Sequence, residues 1–135
     1  MQVFSAVCLL VFVTFSSTLS TTPVRKREIP CRTPANAPTC YWTHGRLGFY
    51  NGTPAVRLWK VGTHRLLGIY SGPSLDRFGL DNENPELPAN VERVWDPIHN
   101  GRLFGDFEVC PLEPEQHGAM QAACIESAKN LVGEK

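Results

Sequence analysis

The chain has 135 residues, with 13 basic and 13 acidic side chains, 42% apolar residues, 11 glycines and 11 prolines. That length suits one domain, and a charged fraction of 19% with this apolar content excludes a disordered polyelectrolyte. Balanced charge also leaves a nucleic-acid partner without obvious electrostatic support.

Val3 to Phe15 is an almost unbroken apolar run. It is shorter than the roughly 20 residues of a membrane helix and of the length of a signal-peptide core. Ser16, Ser17, Thr18 and Ser20 follow, which suits cleavage near Ser20 or Thr21. Arg25-Lys26-Arg27 then offers a processing protease a basic site. The expected organisation is a signal peptide over 1–20, a prosegment over 21–27 and one secreted domain over 28–135. The competing reading is a membrane anchor or a plain core segment. Against it stand the polar residues that end the run, so no stable membrane anchor is expected after signal removal. Removing residues 1–27 leaves ten basic against thirteen acidic residues, a net charge of −3 without a basic stripe. Nucleic acid is therefore not an expected partner.

Cys8 leaves with the signal, and Cys31, Cys40, Cys110 and Cys124 remain. An even count in a secreted chain reads as two disulfides, in any of three pairings. Local pairing, Cys31 with Cys40 and Cys110 with Cys124, closes two turn-rich loops and is the expectation. The alternative staples Cys31 or Cys40 to the C-terminal strand. There is no Cys-x-x-Cys, so no metal site is expected, and no cofactor motif is present.

Tyr41 to Tyr50 is rich in β-formers, with Tyr41, Leu47 and Phe49 on one parity. Asn51-Gly52 predicts a tight hairpin in which both residues take positive φ. Ala55 to Val61 and Arg65 to Tyr70 complete a β-meander. Residues 71–90 read as a long surface loop with one helical turn near Ser74 to Phe78, the kind of loop that is often functional. Val91 to Trp95 is expected as a short strand, and Asp96 to Gly101 as a turn. Arg102 to Val109 is the next strand, with Arg102, Asp106 and Glu108 facing water. Met120 to Leu131 fits both a helical stripe and a strand; the strand is preferred for Met120 to Ile125, with a short C-terminal helix as the alternative. Together these elements predict an all-β fold, a small antiparallel β-sandwich.

Gly45-Arg46-Leu47, Asn51-Gly52-Thr53-Pro54-Ala55 and Val56-Arg57-Leu58-Trp59 resemble the opening of transthyretin-like extracellular domains. Asn100-Gly101-Arg102-Leu103-Phe104 and Asp106-Phe107-Glu108-Val109 are similar to their later strand pair, while Ser71 to Asn90 departs from the pattern. The resemblance implies a prealbumin-like sandwich and a small-ligand carrier. Its enzyme branch, the hydroxyisourate hydrolases, uses a first-strand histidine, an arginine after glycine, a second histidine and a C-terminal Tyr-Arg-Gly-Ser. His44, Arg102 and either His99 or His117 match in part, but Leu131-Val132-Gly133-Glu134-Lys135 lacks the tetrapeptide. No catalytic residue is therefore expected, and the protein reads as a non-enzyme.

The acidic pairs Asp106/Glu108 and Glu113/Glu115 read as a solvated edge. Trp42, His44, Arg46 and Tyr50 share the face opposite Leu47 and Phe49. Exposed aromatics on such a face stack on sugar rings or anchor a protein, so these four are the expected binding residues. The ligand is an extracellular protein or a carbohydrate. Asn51-Gly52-Thr53 is also an N-glycosylation sequon.

Overall fold

The computed structural model describes residues 27–73, 84–95 and 101–135. The expected signal peptide and most of the expected prosegment, the helical turn expected near Ser74 to Phe78 and all but Gly101 of the turn expected over Asp96 to Gly101 lie outside them. The elements are β1 (Tyr41–Phe49), β2 (Val56–Lys60), β3 (Leu66–Ile69), α1 (Ala89–Trp95), β4 (Arg102–Pro111) and β5 (Gln121–Glu134). The strands close into one barrel in the order β1-β2-β3-β5-β4. All pairings are antiparallel except β3 with β5. The all-β class holds, with a single closed barrel where two packed layers were expected. Closure leaves no free sheet edge to protect from other chains.

Alternation along the strands fills the interior. Leu103, Leu47, Leu58 and Leu67 face one another in register across β4, β1, β2 and β3, and all four are fully buried. Phe107, Val109, Ala123 and Ile125 complete this core. Phe49, expected inside, stands at the barrel end instead: it stacks on Trp95 at 4.5 Å between ring centroids but stays 46% exposed.

Three local expectations change for physical reasons. Val91 to Trp95 is helix, not strand. Val91, Val94 and Trp95 recur at helical spacing and meet the core, and Pro88 supplies the carbonyl for the first turn. Trp95 is thereby buried, with its indole N–H donating to the Gly101 carbonyl at 3.1 Å. The Asn51-Gly52 hairpin is wider than two residues. Tyr50 N–H bonds to the Ala55 carbonyl at 2.8 Å, Gly52 alone has positive φ, and the Thr53–Pro54 bond is cis.

β5 is strand to Glu134, which removes the C-terminal helix. Its register against β4 shifts twice, between Phe104 and Asp106 and between Glu108 and Val109, each time with an extra residue on β5. Asn130, at φ 54°, sits in the first irregularity. Bulges move the inward parity by one. The core positions therefore run Ala123, Ile125, Ala128, Leu131, a spacing of two, three and three that imitates a helical stripe.

The disulfides pair Cys31 with Cys124 and Cys40 with Cys110, the long-range alternative rather than the local one. Cys110 and Cys124 are register partners on β4 and β5, on the parity opposite the interior. Side chains standing side by side on a pleated surface run parallel instead of converging. Both sulfurs are met by the segment 31–40, which lies over this outer surface. Thr33 and Asn36 hold that segment in shape, with the Asn36 amide donating to the Cys31 carbonyl at 2.8 Å and its oxygen accepting from Thr33 N–H at 2.7 Å. Glu108, expected to face water, is covered here and pairs with Arg32.

Residues 27–30 continue this strap. The Arg27 guanidinium donates to the carbonyls of Ile29 (2.6 Å), Ile125 (2.7 Å) and Ser71. The Glu86 carboxylate accepts from the backbone N–H of Ile29 and Glu28, at 2.8 and 3.1 Å. A Cβ on Gly72 would lie 2.5 Å from the Pro30 carbonyl oxygen, so the strap approaches too closely for any larger residue.

Two outcomes are expected. Gly72→Ala should lower unfolding stability by about 1–3 kcal/mol in urea titration, because backbone rather than a side-chain tip must move. In native, oxidised protein the Arg27–Glu28 bond should resist a protease specific for basic residues, since Arg27 cannot both hold three carbonyls and enter a protease pocket. N-terminal sequencing should find Arg27 retained, and reduction of the disulfides should make the bond cleavable.

Candidate functional site

The outer face of β1, β2 and β3 is built by register. Arg46 lies opposite Trp59, and Trp59 lies opposite Leu66, so these three side chains form a row across the strands. The Trp59 indole N–H donates to the Thr63 carbonyl at 2.8 Å, which lays the ring along the 61–64 turn. The Arg46 guanidinium covers that ring at 4.9 Å, a cation–π contact. Its Nε is shut off from water and has no hydrogen-bond partner among the described residues.

Tyr50 follows β1 and folds back over Gly48, where a Cβ would already touch the phenol ring at 3.5 Å. Arg57 lies 5.3 Å above the Tyr50 ring and donates to the carbonyls of Pro54 (2.9 Å) and Asn51 (3.2 Å). The 50–55 loop itself is pressed onto the sheet, for a Cβ on Gly68 would meet Pro54 Cγ at 2.7 Å. Between this loop and the 61–64 turn lies an open depression of about 440 Å³, lined by Arg46, Tyr50, Trp59, Thr63, His64 and Leu66.

Trp42 and His44, further along β1, belong to a different cluster. His44 Nδ1 lies 2.9 Å from the Asp106 carboxylate, and Asn130 donates to that carboxylate's other oxygen at 2.7 Å. Lys129 sits 4.5 Å above the Trp42 ring. The charges here offset one another, and the hollow they line is smaller, about 260 Å³. The hydrogen bond from Asn130, then that with His44, holds the Asp106 carboxyl below the ordinary 3.8.

A third hollow, about 520 Å³, lies between the 31–40 segment and the β4–β5 loop. It is larger but offers mainly Ala35, Pro111, Leu112 and Pro114. Its one ionisable group, Glu113, already accepts from the Ala122 N–H at 2.8 Å.

The four expected binding residues thus share the outer face but divide in two: Arg46 and Tyr50 line the β1–β3 depression, while Trp42 and His44 join Asp106 and Lys129. Trp59, Thr63 and His64 complete the first group and were not singled out as a set. The signal for Trp59 was present, because an antiparallel β2 puts it on the same face as Arg46. Arg102 is also on the outer surface but two strand residues beyond Phe104, the partner of Arg46. His44 and Arg102 lie four residues apart along the β1–β4 ladder, roughly 13 Å at the rise of a strand. His117 is on the exposed β4–β5 loop, and His99 lies outside the described residues. Among the described residues no three His, Cys, Asp or Glu side chains gather to hold a metal ion. Asn51 is exposed beside the depression, on the 50–55 loop.

The acidic pairs are not a free solvated edge. Asp106, Glu108 and Glu113 hold the partners given above, and Glu115 pairs with Arg65 at 3.0 Å.

Fold and site together describe a disulfide-stapled five-stranded barrel with a cationic and aromatic outer face. Comparisons with protein-family models, with curated proteins and with solved structures find no match.

The Asp106 cluster yields a pH signature. A carboxyl whose pKa is lowered by folding adds stability above its unfolded pKa, and that contribution disappears as pH falls through the lowered value. Carboxyl-carbon NMR titration should give Asp106 a midpoint below 3.8. Asn130→Ala should raise that midpoint more than His44→Ala.

Proposed function

We propose that this protein is a secreted, non-catalytic binding module that takes carbohydrate on the outer face of β1–β3. The observation that carries the proposal is the pairing of Trp59 and Tyr50, each under a guanidinium, around a depression of about 440 Å³. The capped rings give the depression apolar walls for the C–H groups of a sugar, and the guanidinium groups over them are donors for its oxygens. Two long-range disulfides fit an oxidising, extracellular setting, and the apolar run over Val3 to Phe15 fits a signal peptide. Small five-stranded Greek-key barrels of the OB type bind oligosaccharides and oligonucleotides on the face of their second and third strands. The present strand order, with its helix between β3 and β4, shares that connectivity, which is a fold-level analogy.

The transthyretin-like reading, a small-ligand carrier or hydrolase, calls on His44 and Arg102. The His44–Asp106 contact orients the imidazole, but the separation from Arg102 leaves the pair without a common substrate position. An Asn51 glycan, where attached, would stand at the rim of the same depression and restrict large ligands.

The test is retention of the purified secreted protein on immobilised oligosaccharides, followed by titration calorimetry. Trp59→Ala should weaken binding about tenfold or more, while Trp42→Ala should leave it unchanged. Loss of binding with Trp42→Ala but not with Trp59→Ala would move the site to the Asp106 cluster. Absence of binding to any oligosaccharide would overturn the carbohydrate reading in favour of a protein partner.

A further inference from the structure

The depression has a charge that the whole chain conceals. Every acidic residue lies at Glu28 or from Asp76 onward, so residues 29–75, which include all of β1, β2 and β3, contain none. The same stretch carries Arg32, Arg46, Arg57, Lys60 and Arg65. Two of these are compensated by acids from elsewhere: Arg32 by Glu108, and Arg65 by Glu115. Lys60 points to the barrel end, donating to the Tyr41 hydroxyl at 3.2 Å. Arg46 and Arg57 remain on the outer face. Both stack on aromatic rings, and neither has a carboxylate partner among the described residues. Balanced overall charge thus hides a cationic strip with aromatic floors.

We propose, resting on the carbohydrate reading above, that the preferred ligand is an acidic oligosaccharide bearing uronic acid, with Arg46 as the group that recognises its carboxylate. The chemistry follows from three observations. Arg46 is held by the Trp59 ring and, among the described residues, by no hydrogen bond, so its donors are uncommitted there. Its Nε–H is already removed from water without a partner among the described residues, a cost that is relieved when the guanidinium turns to an acceptor. A planar fork of donors matches a planar carboxylate in two parallel hydrogen bonds. A uronate carries its carboxylate on the ring carbon next to the ring oxygen. With the sugar seated in the depression beside the capped Trp59 and Tyr50 rings, the carboxylate on its ring edge reaches the Arg46 guanidinium that lies over Trp59. Arg57 is fixed to the Pro54 and Asn51 carbonyls and contributes long-range attraction rather than a fork. Tyr50 supplies a hydroxyl for the sugar's own, whereas the Thr63 hydroxyl already donates to the Lys60 carbonyl and accepts from the Arg65 N–H.

The experiment compares three probes of equal length by calorimetry: a galacturonic acid hexamer, its fully methyl-esterified form and a sulfated hexasaccharide without uronate. The ester keeps ring and size but loses the charge. The acid should bind at least about tenfold more tightly than the ester, and its affinity should fall as salt rises from 50 to 500 mM. Arg46→Gln, a change of a partly exposed side chain without hydrogen bonds, should abolish that preference while the thermal midpoint stays unchanged. Equal binding of acid and ester would overturn this inference and leave the carbohydrate reading standing. Tight binding of the sulfated probe alone would also overturn it, since the carboxylate would then not be the recognised group. Binding of none of the three, with folded protein, would remove both readings together.

Discussion

Cys110 and Cys124 face each other across β4 and β5 and point away from the core, and both are bonded to one short segment, 31–40. The rest of the barrel depends on this double staple. The two bridges span sequence separations of 93 and 70 residues, so each removes a large loop-closure entropy from the unfolded chain. On a chain-entropy model each is worth roughly 4–5 kcal/mol. They also clamp the two longest strands next to the second of the two register shifts, the one between Glu108 and Val109. Without them, a small domain whose β5 carries two bulges would rely on a core of about a dozen side chains.

The staple also decides which part of the outer surface is covered. Segment 31–40 covers the outside of β4 and β5, and α1 adds Val91 and Trp95 to the core. The outer face of β1, β2 and β3 is left open, as is the stretch carrying Trp42, His44, Asp106 and Lys129. On that face the side chains are not those of an ordinary solvated sheet. Arg46 and Arg57 lie over aromatic rings, glycines at 48 and 68 let Tyr50 and Pro54 lie down on the strands, and no carboxylate is present along residues 29–75. Aromatic rings, guanidinium groups and no carboxylate from its own strands set this depression apart. The contrast with the neighbouring His44–Asp106–Asn130 cluster is instructive, because there the polar groups satisfy one another.

The strap from Arg27 to Pro30 adds a second consequence of the same arrangement. By reaching Ser71 and Ile125, Arg27 ties the exit of β3 to β5, the one parallel pairing of the barrel. Parallel pairings cannot be closed by a hairpin, and this one is three register pairs long. A guanidinium with several donors is well suited to bridging carbonyls of both strands. The basic cluster read as a processing signal thus includes a residue that the folded domain uses.

By itself the sequence determined the β-meander of residues 41–70, the strand at 102–109, the even set of four cysteines and the shared outer face of Trp42, His44 and Arg46. These follow from period-two alternation and β-propensity, which are local and survive any tertiary arrangement. Tertiary structure decided the rest. Closure into a barrel depends on β5 pairing with both β3 and β4, and no local pattern encodes which distant strands meet. The bulges in β5 changed its apolar spacing to one that imitates a helix, while Val91 to Trp95, β-prone by composition, became helix because its valines and tryptophan had a core to meet at that spacing. The disulfide pairing went against the short loops because sulfurs bond along the direction their Cβ atoms point, and the sheet set that direction. Trp59 joined Arg46 through the same cause: register across strands brings together residues that the chain order keeps apart.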